Sequence, residues 1–405
     1  MSLADLFDHH LELPTGGAFA PTLLPARGGV YLIADRDDRP ILLAGGEDLR
    51  RVVVHRLTRP PERQSKRADL SEVAARVHWR ETFSRFETAL EHWRAARVLY
   101  PQNYRRQLAF GPVWFLRLKL EEPVPAFAAV REVRRDGARY FGPVATRSAA
   151  EDWRAMLEDA FDLCRYQNIL EQAPHGLPCA YFEMGKCPAP CSGRITLDDY
   201  RQMLAAAADF TSGDRQHRLD RLRRAMREAA AALEFERAEA VRQTLARTAA
   251  VTARPAYRHL ADLSRCGWLI IQRGGPRRRA VDRMLVRPFF ARGESIDGGP
   301  PVPLAELETA AAEWLRCCTD TLAAAPPPSG GEDSARSEVL WLVGKFLFQG
   351  ERAAGVFVRF DQLPSAETLA QWVRERLGRA VEEPLDPSGP DAAVDPPEAA
   401  APPPD

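Results

Sequence analysis

Apolar and polar positions along the chain change period several times, and each change predicts a new element. Gly29-Val30-Tyr31-Leu32-Ile33 is a β-branched and aromatic run. Ile41-Leu42-Leu43 repeats that character after the polar turn Asp35 to Pro40, so the two runs predict a β-hairpin. Gly45-Gly46 ends it, and Asp48 is placed to cap a helix carrying Leu49, Val52, Val53 and Leu57. A second helix is expected from about Leu70 to Val77. A third is expected from about Ser84 to Leu99, where Phe86, Leu90, Trp93 and Arg97 recur at helical spacing before Pro101 stops the run. Val113 to Leu118 reads as a strand and 124–141 as short strands and loops. Thr146 or Ser148 opens a helix that ends near Leu163.

Residues 164–193 have no regular period. From 196 to about 252 the chain is rich in Ala, Leu, Arg and Glu, with Thr196 and Asp199 resembling a capping box at its start. Breaks at Thr211-Ser212-Gly213 and near Leu233-Glu234-Phe235 predict two antiparallel helices. After Pro255 the pattern turns β-like at Trp268 to Ile271, Met284 to Val286 and Phe289-Phe290, followed by a helix from about Leu304 to Leu322. The composition of 325–333 is that of a linker. A small αβα segment is expected from Ser337 to Leu377, and the Pro-, Ala- and acid-rich end is expected to be disordered. The fold class is therefore α+β, in several domains. The expected divisions are a leader 1–25, a small α/β domain 26–108, a strand region and cysteine module 109–195, and a helical region 196–254. A small β/α region 255–324, a linker 325–336, a small α/β segment 337–380 and a tail 381–405 complete the chain.

The 405 residues suffice for two to four domains. Formal net charge is zero, so no global field favours nucleic acid or membrane. Only four of the 56 cations are lysine (Lys66, Lys119, Lys186, Lys345), a bias that suits phosphate contact but also follows from a GC-rich genome. The N-terminal stretch is interrupted by charge, which predicts no secretory leader, and the longest apolar runs are too short to span a bilayer. A cytoplasmic location is expected.

Composition changes the picture at one place. Cys164, Cys179, Cys187 and Cys191 follow the pattern C-x14-C-x7-C-x3-C. Pro178, Pro188 and Pro190 stand beside the last three and stiffen a loop that must hold thiolates against their mutual repulsion. In a reducing compartment clustered cysteines favour a metal over a disulfide. Structural zinc favours C-x2–4-C pairs, and only Cys187 and Cys191 are that close; the wider spacing fits an iron–sulfur cubane somewhat better, with zinc left open. Cys266, Cys317 and Cys318 have no metal-like spacing and read as ordinary thiols.

The order of a GVY hairpin, Tyr140-Phe141-Gly142-Pro143, the four cysteines and then Leu233-Glu234-Phe235-Glu236-Arg237-Ala238-Glu239-Ala240-Val241-Arg242 resembles the N-terminal half of the UvrC family, the nuclease subunit of bacterial excision repair. The resemblance covers roughly 20–255. It implies a [4Fe–4S] cluster on Cys164, Cys179, Cys187 and Cys191, with Tyr181 and Gly193 in matching places. It also implies that the helical hairpin is a UVR motif that pairs with a UvrB-type partner through Leu233, Glu234, Phe235, Glu236, Arg237, Ala238, Val241 and Arg242. Two short helices cannot bury both apolar faces alone, and a partner hairpin would cover Leu233, Phe235, Ala238 and Val241.

The same resemblance makes the first domain a GIY-YIG nuclease fold. Such a site needs two tyrosines, a lysine, an arginine, a metal-binding glutamate and an asparagine, working with Mg²⁺ or Mn²⁺. Ungapped carry-over places only Tyr31 on its match. The second tyrosine falls on Leu42, the lysine on Gly45, the arginine on Val52 beside Arg51, the glutamate on His92 beside Glu91, and the asparagine on Tyr104 beside Asn103. Residual candidates are therefore Tyr31, Arg51 and Glu91, and the domain is expected to have lost its cutting site. Neither an RNase H-like nuclease pattern nor helix-hairpin-helix motifs are read after 255, and Arg277-Arg278-Arg279 reads as a solvated basic turn. The leading expectation is a UvrC-like repair protein that docks on a UvrB-type partner, with DNA as a further partner and no membrane. The rivals are an active Mg²⁺-dependent endonuclease and an iron–sulfur redox sensor that binds DNA.

Overall fold

The computed structural model describes residues 2–14, 19–58, 70, 72–108, 111, 113–213, 215–264, 266–274, 284–323, 333–349 and 355–379. Among them are three antiparallel sheets. The first runs His9–Glu12, Arg76–Glu81, Gly29–Ala34, Pro40–Gly46 in space. The expected hairpin forms its centre, with Tyr31 opposite Ala44 and Trp79. The strand period of two sends Tyr31 and Ile33 to one face, against Leu49, Val53 and Leu57 of helix Leu49–Leu57. Val30 and Leu32 go to the other face, against Ala95 and Ala96 of helix Arg85–Leu99. Asp48 caps the first of these helices and Ser84 the second, each accepting a backbone N–H three residues on.

Two expectations fail in this domain. The helix expected from Leu70 to Val77 is replaced by the strand Arg76–Glu81. Val77 and Trp79 point into the Tyr31 core while His78 points away, a period-two pattern that the adjacent Ala74-Ala75 masked. Residues 9–12, assigned to the leader, add an edge strand to the same sheet.

The second sheet is ordered Ala128–Val130, Trp114–Leu118, Arg139–Val144, Ala261–Asp262. Helix Arg147–Ala160, capped by Thr146, lays the fully buried Trp153 against Phe210 and Tyr257. The helical region is three helices, Leu197–Ser212, Arg215–Ala231 and Phe235–Thr252, the last two forming the expected hairpin. Thr196 caps the first and also donates to the Asp199 carboxylate at 2.7 Å.

The third sheet runs Ser295–Gly298, Leu285–Arg292, Trp268–Gly274, Gly355–Arg359. Helices Leu307–Ala323 and Ala366–Arg379 cover one face. Helix Asp333–Leu347 lies on the other, so the far end of the proposed linker, 333–336, is helical. The segment 337–380 is not a separate unit either. Among the described residues its strand Gly355–Arg359 finds ladder partners only on Trp268–Gly274, because a lone strand leaves its backbone unpaired. The rest of the linker, the Arg277–Arg279 turn and the tail lie outside the described residues.

One hydrophobic core joins all three sheets. It contains Phe86 and Trp93 from the first domain, Phe115 from the second sheet, Ile270 and Phe289 from the third, and Val339 and Val343 from helix Asp333–Leu347. At its edge the fully buried Glu338 accepts from Trp93 Nε1 at 2.9 Å, the Tyr104 hydroxyl at 2.6 Å and Arg105 Nε at 2.8 Å. Three donors, one of them a cation, are what a carboxylate needs to remain inside.

Candidate metal centre and docking hairpin

Cys164 follows helix Arg147–Ala160, and its N–H donates to the hydroxyl of buried Tyr200 at 3.1 Å. The loop is then tied back across its mouth. Arg165 donates to the Lys186 carbonyl at 2.9 Å, pairs with Asp159, and lies over the Tyr181 ring at 4.3 Å. Gly176 N–H donates to the Cys191 carbonyl at 2.8 Å. Cys187 and Cys191 are buried; Cys164 and Cys179 are half-buried.

The last two cysteines bracket Pro188-Ala189-Pro190. Ala189 is buried and takes the left-handed conformation at φ 55°, which costs a non-glycine residue about 1–2 kcal/mol. Its carbonyl collects the N–H groups of Ser192 and Arg194. Strain of this kind persists where surrounding structure imposes it, and it is concentrated at sites that hold something. Here it turns the chain so that Cys187 and Cys191 sit on one short bend.

The thiols form a linked set. Cys164 and Cys187 are in hydrogen-bond contact; that contact holds the Cys164 proton on and draws the Cys187 thiol down. Burial, then the nearby Cys187 and Cys179, pushes Cys191 up. Among the described residues no group of three or more His, Cys, Asp and Glu side chains is disposed around a single ion position. Zn–S bonds of about 2.3 Å would draw four sulfurs to about 3.8 Å from one another. The donor set is all thiol, with Cys164 touching Cys187 and with Cys187 and Cys179 near Cys191, while the Asp162 carboxylate lies close enough to act on Cys187.

The residual nuclease candidates are not brought together. Tyr31 is buried under helix Leu49–Leu57, and burial raises its hydroxyl pKa, while its charged neighbour is Arg56. Glu91 belongs to the helix on the opposite face of the sheet. Both of its oxygens are taken, one by Arg80 at 3.1 Å and the other by Arg94 at 2.7 Å. Arg51 lies on the outer side of helix Leu49–Leu57, beside an open groove of about 410 Å³ that it lines with Asp48, Arg50 and His55. At the carried-over positions the obstacles are steric and electrostatic. A Cβ on Gly45 would stand 2.6 Å from Thr88, His92 is driven down to about 4 by burial, and the Tyr104 hydroxyl is committed to Glu338.

The hairpin presents the opposite picture. Helix Arg215–Ala231 ends in a Schellman turn: Glu234 N–H reaches the Ala229 carbonyl at 2.9 Å and Leu233 N–H reaches Ala230 at 3.1 Å. Leu233 occupies the left-handed position, φ 60°, where glycine is usual, and is 71 % exposed. Phe235 next to it is 67 % exposed. Glu234 pairs with Arg237 and Glu239 with Arg242 along the exposed side; Ala238 and Val241 are half-buried, and Glu236 is solvated. The sequence located this tip; the strain at Leu233 and Ala189, the Arg56 neighbour of Tyr31 and the role of Glu338 were missed, since none has a local sequence signal.

Residues 113–210 match the family model described as the UvrC/Cho excinuclease middle domain, a span that includes all four clustered cysteines. The UvrABC system protein C of Trichlorobacter lovleyi is 31% identical over 222 residues, which is 55% of this chain and 36% of that protein. That of Salinispora arenicola is 28% identical over 232 residues, 56% and 35% respectively. That of Syntrophus aciditrophicus is 35% identical over 132 residues, 32% and 21%. The chain thus spans about a third or less of the length of these curated relatives. No solved structure matches. Among the described residues no helix is long and apolar enough to cross a membrane.

Proposed function

We propose that this chain, which is similar to UvrABC system protein C over about half its own length and matches the UvrC middle-domain model over 113–210, is an excision-repair protein that docks rather than cuts. The hairpin tip binds a UvrB-type partner, the four cysteines hold a [4Fe–4S] cluster, and DNA is the shared substrate of the assembly. The observation that carries this is the strained, exposed tip. Leu233 takes a left-handed conformation that costs about 1–2 kcal/mol, and its side chain is 71 % exposed beside an exposed Phe235. A partner hairpin would cover both.

The cluster assignment is supported by the all-thiol donor set and by spacing wider than the pairs of structural zinc. Cys164, Cys179, Cys187 and Cys191 would be its ligands. A bound cluster supplies a redox-active, charged body. The chain's own residues fix the loop around it: Tyr200 holds the Cys164 backbone, and Arg165 closes the mouth. The reading as non-cutting is supported by Tyr31 and Glu91 lying on opposite faces and by the two guanidinium groups that occupy Glu91.

The test is a binding titration against UvrB. Phe235→Ala should weaken binding about thirtyfold, as loss of a hot-spot aromatic worth about 2 kcal/mol. Leu233→Gly should separate strain from contact: it relieves the left-handed turn and stabilises the free hairpin by up to about 1 kcal/mol, yet weakens binding. Unchanged affinity in both variants would remove the docking site.

A further inference from the structure

The hairpin is electrically divided along its length. Residues 215–227 and 242–258, which form its base, contain ten arginines and a single acidic residue, Asp220. Residues 228–241, which form its tip, contain four glutamates and one arginine. The exposed large apolar side chains of the hairpin, Leu233 and Phe235, are both at the acidic tip. The base therefore has charge without an apolar centre, whereas a protein interface is built around a buried, largely uncharged core.

Part of the basic charge is structural. Arg215 and Arg218 are turned inward; Arg218 donates to the Ala160 carbonyl at 2.7 Å and lies over Phe161 at 4.3 Å, which seats the helix beside the cysteine module. Arg223 is neutralised by Asp220 and Arg242 by Glu239. Arg221, Arg224 and Arg227 are different. They stand three residues apart on the exposed side of helix Arg215–Ala231, within an arc of about 120°, opposite a face that buries Leu219 and Leu222. Among the described residues none of them forms an ion pair within 4 Å, although Asp220 senses Arg224; Arg227 donates to the Arg223 carbonyl. Burial and then Arg221 lower the pKa of Arg218, with Asp162 acting the other way.

We propose that Arg221, Arg224 and Arg227 form a phosphate-tracking face for the backbone of duplex DNA, separate from the tip that takes the protein partner. The guanidinium fork matches phosphate oxygens in pairs, and a row of three along one helix face meets successive phosphates without reading bases. One hairpin then joins two ligands: protein at the acidic, apolar tip and DNA at the basic base, next to the cysteine loop. This rests on the reading of the chain as a repair protein, but it makes a distinct claim about where the DNA lies.

The experiment uses the full chain and a fluorescently labelled 30-base-pair duplex, with anisotropy measured across a salt series. The variant is R221E/R224E/R227E, checked for fold by circular dichroism. The expected result is affinity at least tenfold weaker at low salt and a log–log salt slope reduced by about 2.7, as three phosphate contacts are lost. UvrB affinity should be unchanged, while Phe235→Ala should show the reverse pattern. Wild-type affinity and slope in the triple variant would overturn the proposal, as would loss of UvrB binding with DNA binding intact, which would assign the arginines to an acidic protein. A single strand bound as tightly as the duplex, with the same dependence on the three arginines, would overturn the duplex assignment.

Discussion

Replacing Cys187 with serine should strip the purified protein of most of its iron and acid-labile sulfide, while Cys317→Ser leaves both unchanged. Cys187 is buried and touches Cys164, whereas Cys317 is exposed and remote from the loop. The effect should extend beyond colour. Binding energy at an inorganic site is folding energy for the loop that surrounds it, reaching about 10 kcal/mol in small metal-bound domains. Here the loop 164–193 has short helices at Gln167–Leu170 and Ala180–Glu183 but little core of its own, with Leu177 and Met184 exposed. Hydrogen exchange in 164–193 should accelerate in Cys187→Ser, with the first sheet unaffected. Stoichiometric zinc in place of iron and sulfide would keep the donor set and reject the cluster.

Glu338→Ala should be the most destabilising single change away from the cysteines, at about 3–5 kcal/mol. It removes the acceptor shared by Trp93, Tyr104 and Arg105, leaving a cation and two polar donors at the edge of the joint core. By contrast, the exposed pair Arg237–Glu234 contributes no more than about 1 kcal/mol. Because Glu338 belongs to helix Asp333–Leu347 and its donors to the first domain, segments 85–107 and 333–347 should lose protection together. Glu338→Gln, which keeps an acceptor oxygen, should recover part of the loss. If only 333–347 loosens, the carboxylate is not the link between the two parts.

These two cases mark what the chain's order reveals. The cysteine loop was legible because its signal is local: four thiols and four prolines within 28 residues need no knowledge of the fold. The hairpin was legible for the same reason, through Leu233 to Arg242. Glu338 could not be read, since its partners lie 233 to 245 positions earlier. Strand Arg76–Glu81 was misread because its alanine-rich approach suggests a helix, and only pairing with Gly29–Ala34 and His9–Glu12 favours the extended form. Strand Gly355–Arg359 was placed in an independent segment because nothing local says that Trp268–Gly274 lacks a neighbour.

The first domain shows a further limit. Tyr31 matched its family position, and only the sheet geometry reveals that its side chain and that of Glu91 leave on opposite faces. A one-residue offset along the helix, harmless to packing, moves a carboxylate by about 100° around the axis. The pairing of Glu91 with Arg80 and Arg94 then ties that carboxylate into the framework of the domain.

The central claim is that this UvrC-like chain docks without cutting. It is tested most directly by incubating the anaerobically purified, cluster-loaded protein with UvrA, UvrB, Mg²⁺ and a lesion-bearing duplex. The predicted result is no incision above the chain-free control, with Mn²⁺ giving the same outcome. Incision by the wild-type chain that is abolished in Glu91→Ala would contradict it.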